Sequence, residues 1–190
     1  MVIATGFFDG VHRGHRFLLD QLTDEARKRG EESMVITFWP HPRNVLQDDA
    51  RNLRLLTSMD EKKSLLRDAG VDHVEVLPFT KSFAALTTEE YLRDYVMGRF
   101  GGKAILLGYD NRIGSDLCAP EKTAEIAGRL GLEVIREKSL ASDSGVVISS
   151  TKIRNALTEG DIVAANDMLG YSYQLYGVVV SVNRLGRTIG

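Results

Sequence analysis

Two histidines three residues apart, His12 and His15, follow a glycine-bounded turn, Gly6-Phe7-Phe8-Asp9-Gly10-Val11. The turn joins a short apolar segment to an amphipathic one, so both imidazoles fall at the entry to a helix. Residues three apart share a helix face, and Gly14 between them leaves room above the helix end. Unsatisfied amides and the positive end of the helix dipole converge there. Such a set is a receptor for several phosphate oxygens. The plainer reading of an isolated H-x-x-H is a metal pair or two histidines satisfied in a turn. The flanking glycines and the strand–turn–helix context favour phosphate. Neither the G-x-x-x-x-G-K-[ST] phosphate loop nor the dinucleotide glycine spacing is present.

A second corner repeats the logic. Ile148-Ser149-Ser150-Thr151-Lys152-Ile153-Arg154 leads from an apolar stretch into a helix. Three hydroxyls gather where helix N–H groups lack partners. Arg154, one turn in, offers a planar fork to the same anion. One hydroxyl is enough for an ordinary N-cap, so three plus an arginine point to a ligand. A third stretch, Thr37-Phe38-Trp39-Pro40-His41-Pro42, is stiffened by two prolines and shows an aromatic face at Trp39, the alternative being a packed turn with a buried tryptophan. A fourth, Gly108-Tyr109-Asp110-Asn111-Arg112-Ile113-Gly114, ends an apolar strand and carries the acceptor oxygens of Asp110.

The elements that must hold these groups alternate in type. Apolar runs predict strands at Met1–Thr5, Met34–Trp39, His73–Phe79, Lys103–Gly108 and Leu132–Glu137, with Gly145–Ile148 leading into the second corner. Helical spacing predicts helices over His12–Arg29, Ser58–Ala69, Thr87 to about Arg99, Pro120–Leu130, Ser149 to about Leu157, and Asp161–Leu169. Pro40–Leu56 has no clean period and reads as a long loop. Strands apolar on both faces, separated by amphipathic helices, predict an α/β fold: a doubly wound parallel sheet binding its ligand beyond the strands' carboxyl ends. A boundary is expected near Gly170, dividing a domain at 1–170 from a β stub at 171–190, where Tyr173–Val182 alternates.

Composition narrows the classes. Of 190 residues, 43% are hydrophobic and 26% charged, which excludes a largely disordered chain. The net charge of −2 gives no support for nucleic-acid binding, and no run is long enough to span a membrane. A single cysteine, Cys118, excludes an internal disulfide and a multi-cysteine zinc site and suits a reducing cytoplasm. Cys118 reads as packing, and Lys62-Lys63 as a solvated face.

The first motif resembles the H-x-G-H signature of the nucleotidylyltransferase superfamily. In its longer form, G-F-x-D-G-V-H-x-G-H, it is similar to the FMN adenylyltransferase module of bacterial bifunctional FAD synthetases. The I-S-S-T-x-I-R, T-F-x-P-H-P and G-x-[DN] segments resemble the same family, in the same order. The resemblance implies a Rossmann-like nucleotidylyltransferase fold and transfer of AMP from ATP to FMN, giving FAD and pyrophosphate. It implies catalytic roles for His12, His15 and Arg154. ATP contacts fall to Gly6, Phe7, Phe8, Asp9, Gly10, Gly14, Gly108, Tyr109, Asp110, Ser149, Ser150 and Thr151. FMN contacts fall to Phe38, Trp39, Pro40, His41 and Pro42. Mg²⁺ is implied on phosphate oxygens, with no protein metal site. Two departures stand out: Asn111 and Ile113 replace family aromatics expected to wall the pocket.

Tyr176–Val180 and Gly186–Gly190 resemble the opening of a riboflavin kinase domain, but the kinase's metal and phosphate motif does not follow, so kinase activity is not expected. The family's short segment before the first strand is also missing. Competing readings are a degenerate flavin- or nucleotide-binding module without catalysis, and a superfamily transferase with another phosphate acceptor.

Overall fold

The structure, a computed structural model, describes residues 1–46, 53–108, 111–136 and 148–177. Five strands, β1 (Val2–Thr5), β2 (Ser33–Trp39), β3 (His73–Pro78), β4 (Ala104–Leu107) and β5 (Glu133–Arg136), pair in parallel in the order β3-β2-β1-β4-β5. The apolar runs produce this because β1 and β4 are buried at every position, as a parallel strand covered on both faces must be. Alternation along the strands divides the core in two. Ile3, Ile36 and Ile105 pack on one face with Leu92, Val96 and Ile126, while Val2, Ala4, Val35 and Leu106 pack on the other with Leu19, Leu22 and Leu66.

Helix α1 (Arg13–Arg29) covers the second face; it closes on Gly30 at φ 64° with Arg27, Lys28 and Arg29 in its last turn, against the negative end of the dipole. One short helix, α2 (Pro42–Leu46), lies inside the segment expected to be a loop. Proline is preorganised for a first helical turn, and a single turn with no buried residue leaves no periodicity to read. Helix α3 (Met59–Asp68) opens with a reciprocal capping box between Ser58 and Glu61. A second unpredicted turn, α4 (Lys81–Ala84), is capped by Thr80. Helix α5 (Thr88–Glu90), capped by Thr87 and Glu90, continues as a π-helical segment, Tyr91–Arg99, so the predicted single helix has wider turns over most of its length. Helices α6 (Pro120–Leu130), α7 (Ser150–Glu159) and α8 (Ile162–Leu169) complete the chain. Leu56, Ile153, Ala156, Ala165 and Leu169 form a third cluster, fastening α7 and α8 to the segment before α3.

Positions 145–147 and 178–182 of the two further predicted strands lie outside the described residues. The described part of the tail, 173–177, forms no strand, contrary to its alternating pattern. Alternation without a hydrogen-bonding neighbour does not make a strand. Among the described residues no helix is long and apolar enough to cross a membrane.

The strand order reverses between β1 and β4. Their carboxyl ends open the crevice where a doubly wound sheet takes its ligand, and the turn after β1 carries Gly6–Val11.

Candidate functional site

Asp9 organises the crevice. Its carboxylate is buried and accepts hydrogen bonds from the Leu56 amide at 3.0 Å, the Thr57 amide at 3.4 Å and Arg154 at 2.7 Å. Its carbonyl accepts a further bond from the Ser150 hydroxyl at 3.0 Å. The first turn, the segment before α3 and the start of α7 are therefore tied to one residue. Burial raises the Asp9 pKa from its ordinary value, against the lowering effect of Arg154, the two amides and Lys62. Beside it, the Gly10 amide donates to Thr57 and the Tyr171 hydroxyl donates to the Gly10 carbonyl. Gly10 sits at φ 78°, and a Cβ there would lie 2.7 Å from Leu56 and 3.3 Å from Leu169, so the chain needs glycine on both counts.

The two histidines form a stacked pair, rings 3.6 Å apart and 13° from parallel. His12 is the N-cap of α1, its Nδ1 accepting from the His15 amide at 3.3 Å. That bond assigns the His12 proton to Nε2, which is left to donate. Burial lowers the His12 pKa to about 4. His15 is held well below the ordinary value by burial, by the His12 ring and by Lys62, and its buried Nδ1 has no hydrogen-bond partner. Both rings are therefore neutral at pH 7, each carrying one N–H. The Phe8 ring packs edge-on against His15 at 5.2 Å. Gly14 lies under the pair; a Cβ there would press on the His12 ring at 3.3 Å.

At the second corner the three hydroxyls have separate tasks. Ser149 caps α7, Ser150 holds the Asp9 carbonyl, and Thr151 accepts from Arg154 at 3.4 Å while remaining exposed. Arg154 spends one guanidinium nitrogen on Asp9, and the site thus joins two corners 145 residues apart.

The third loop closes the other side. The His41 ring lies 4.7 Å from Phe7, and its pKa is lowered to about 4 by burial and then by Lys62, Arg154 and Arg43. Trp39 is 45% exposed, so the buried-tryptophan alternative does not hold, while Phe38 is packed among Phe79, Phe83 and Tyr91 in the core. Of the two aromatics only Trp39 has ring surface to offer a ligand.

One sequence reading is corrected. Lys62 is not on a solvated face: it is 3% exposed, one of two buried residues of α3, and its charge reaches Asp9, His15 and His41. The missed signal was its position four residues before Leu66, on the helix's inner face. Asn111 and Ile113, where the family carries aromatics, have partners within the protein. The Asn111 amide donates to the Thr5 carbonyl at 3.0 Å, pinning the β4 turn to the end of β1, and Ile113 is buried in the core. Tyr109 and Asp110 lie outside the described residues. Among the described residues no group of three or more His, Cys, Asp or Glu could hold a metal ion.

A family profile described as FAD synthetase matches residues 1–152 of this geometry. The chain belongs to the FAD synthetase family. It is 35% identical over its whole length to a bifunctional riboflavin kinase/FMN adenylyltransferase of Listeria monocytogenes and 37% identical to one of Escherichia coli K12. It covers 60% of each of those proteins. Among solved structures it matches one titled a macrolide-efflux protein from Streptococcus pneumoniae, with a TM-score of 0.86 and 31% identity over 99% of this chain and 60% of that one. This FAD synthetase domain thus aligns with the adenylyltransferase portion of its relatives. They give no support to a module that only binds.

Proposed function

We propose that this FAD synthetase domain transfers AMP from MgATP to the phosphate of FMN, in the cytoplasm, releasing pyrophosphate and FAD. One observation carries the reading: Asp9, in the turn that leads to the stacked His12–His15 pair, is bonded to both Ser150 and Arg154 of α7, which supports two corners remote in sequence acting on one ligand.

The reaction needs no protein nucleophile. An oxygen of the FMN phosphate attacks the α-phosphorus, that phosphorus gains the new P–O bond, and its bond to the β-phosphate oxygen breaks. The task of the chain is to bring two polyanions together and steady the charge that moves onto pyrophosphate. The His12 Nε2–H and the His15 ring donate to the triphosphate as neutral groups. Arg154, steered by Asp9, and the Thr151 hydroxyl hold the departing pyrophosphate at the α7 N-terminus. Gly6–Gly10 and Gly108 border the nucleotide, and Trp39, Pro40, His41 and Pro42 border the flavin.

Both oxygens of the Asp9 carboxylate are engaged by protein groups. Magnesium therefore fits here as an ion carried on substrate oxygens and water, where it offsets phosphate charge. Incubation with ATP, Mg²⁺ and FMN, followed by chromatography, is expected to yield FAD and equimolar pyrophosphate. His15→Ala and Arg154→Ala are each expected to lower kcat by about 10²–10³. Absence of FAD from the unaltered protein, or undiminished rates in both variants, overturns the proposal.

A further inference from the structure

Among the described residues, Lys62 is the one strongly buried cation that the mechanism above leaves without work. It is 3% exposed, and among the described residues it has no ion pair within 4.0 Å. Asp9, the carboxylate whose charge acts on it, is already committed to Arg154 and two amides. A lysine in the interior without a contacting anion is costly and rare. Burial lowers its pKa from the ordinary value, and Asp9 opposes that only from a distance.

Its direction follows from the helix. Lys62 lies one turn into α3, its amide bonded to the Ser58 carbonyl, and it shares the inner face with Leu66, which anchors in the core against α1. Helical side chains lean toward the N-terminus of their helix. For Lys62 that end is the segment whose Leu56 and Thr57 amides hold Asp9. Its charge reaches His15 on α1 and His41 on the proline loop. Arg154 is engaged at the far corner.

We propose that Lys62 is a further catalytic residue, whose ammonium bridges the attacking phosphate monoester and the α-phosphate and cancels the repulsion between them. The inference rests on the adenylyl-transfer reading. In that arrangement the triphosphate has its leaving end on Arg154 and its reacting phosphorus near the histidines. The acceptor phosphate enters past His41. The two phosphates meet beside Lys62, which becomes their shared counter-ion. A neutral imidazole pair cannot neutralise them, and Arg154 is committed to Asp9 and the leaving end, so the lysine adds positive charge to that supplied by magnesium.

The test uses the full chain with Lys62→Met and Lys62→Arg. Lys62→Met matches the length and removes the charge. It is expected to lower kcat for FAD formation by about 10²–10³, to leave MgATP binding by calorimetry within threefold, and to raise Tm, because an uncompensated interior charge is gone. Lys62→Arg is expected to recover at least tenfold of the lost rate. A purely structural lysine predicts the reverse pattern, a lower Tm with kcat retained in the folded fraction. That outcome, or a Lys62→Met rate within threefold of the unaltered protein, overturns the proposal. If the unaltered protein itself forms no FAD, the failure belongs to the adenylyl-transfer reading instead.

Discussion

Replacing Asp9 by asparagine keeps the shape of the side chain and removes its charge. The carboxylate is 5% exposed and its Arg154 partner 19% exposed, so water is a poor substitute for either. Breaking a buried pair by removing one member typically costs about 3–5 kcal/mol. Asparagine retains one oxygen for the Leu56 and Thr57 amides, which places Asp9→Asn near the lower end, about 3 kcal/mol. For a chain of this size that is a Tm lower by about 6–12 °C. Arg154→Met is expected to cost a similar amount, since it leaves a carboxylate stranded with two amides. The double variant strands neither charge. Its cost should fall short of the sum of the singles by about 2 kcal/mol, as contacting residues couple. Urea unfolding followed by far-ultraviolet circular dichroism at pH 7 measures all four corners of the cycle. Salt should change the coupling little, because the pair is shielded from solvent. If the two substitutions add within about 0.5 kcal/mol, or if Asp9→Asn costs less than about 1 kcal/mol, the Asp9 bridge does not hold the corners together as described.

Acid should weaken the ligand-free protein. The folded pKa of His12 is about 4 against an ordinary 6.5, so between those values the unfolded chain binds more protons and stability rises with pH. The His12 contribution is therefore present at pH 7 and lost progressively toward pH 4, by about 3 kcal/mol. His15 and His41 act in the same sense, while the raised pKa of Asp9 acts in the opposite sense at the acidic end. Urea titrations at pH 7 and pH 4.5 that give equal stabilities refute this. Gly10→Ala combines a φ of 78° with a contact 2.7 Å from Leu56, and is expected to destabilise by about 1–3 kcal/mol and to weaken MgATP binding; a Tm within 2 °C of the unaltered value refutes the strain, at the rate of about 2–4 °C per kcal/mol. Trp39, the single tryptophan, has ring surface exposed beside the proline loop, so FMN should quench its emission. Unchanged emission with FMN binding shown by calorimetry removes it from the pocket.

The framework was legible because burial on both faces writes itself into sequence. Val2–Ala4 and Ala104–Leu107 could be read as buried strands from their unbroken apolar runs. That both corners open helices was legible for a different reason: glycines, hydroxyls and histidines at a helix entry report local backbone chemistry. What escaped was whatever depends on a distant partner. Nothing near Asp9 announces that its carboxylate meets Arg154, or that Ser150 serves the Asp9 carbonyl. Lys62 escaped because a lysine beside another lysine reads as solvated, although only its neighbour Lys63 keeps part of its surface in water. Asn111 was compared with the aromatics it replaces, whereas its amide answers to a carbonyl 106 residues earlier. Helices α2 and α4 are too short for any period to show.

The Asp9–Arg154 link has a consequence for the newborn polypeptide. At a synthesis rate of about 5–20 residues per second, roughly 7–30 s separate the emergence of its two ends. Throughout that interval the first turn can be made while the groove above it lacks its far wall. The bond that joins the two corners is thus made late, only after α7 has left the ribosome and docked.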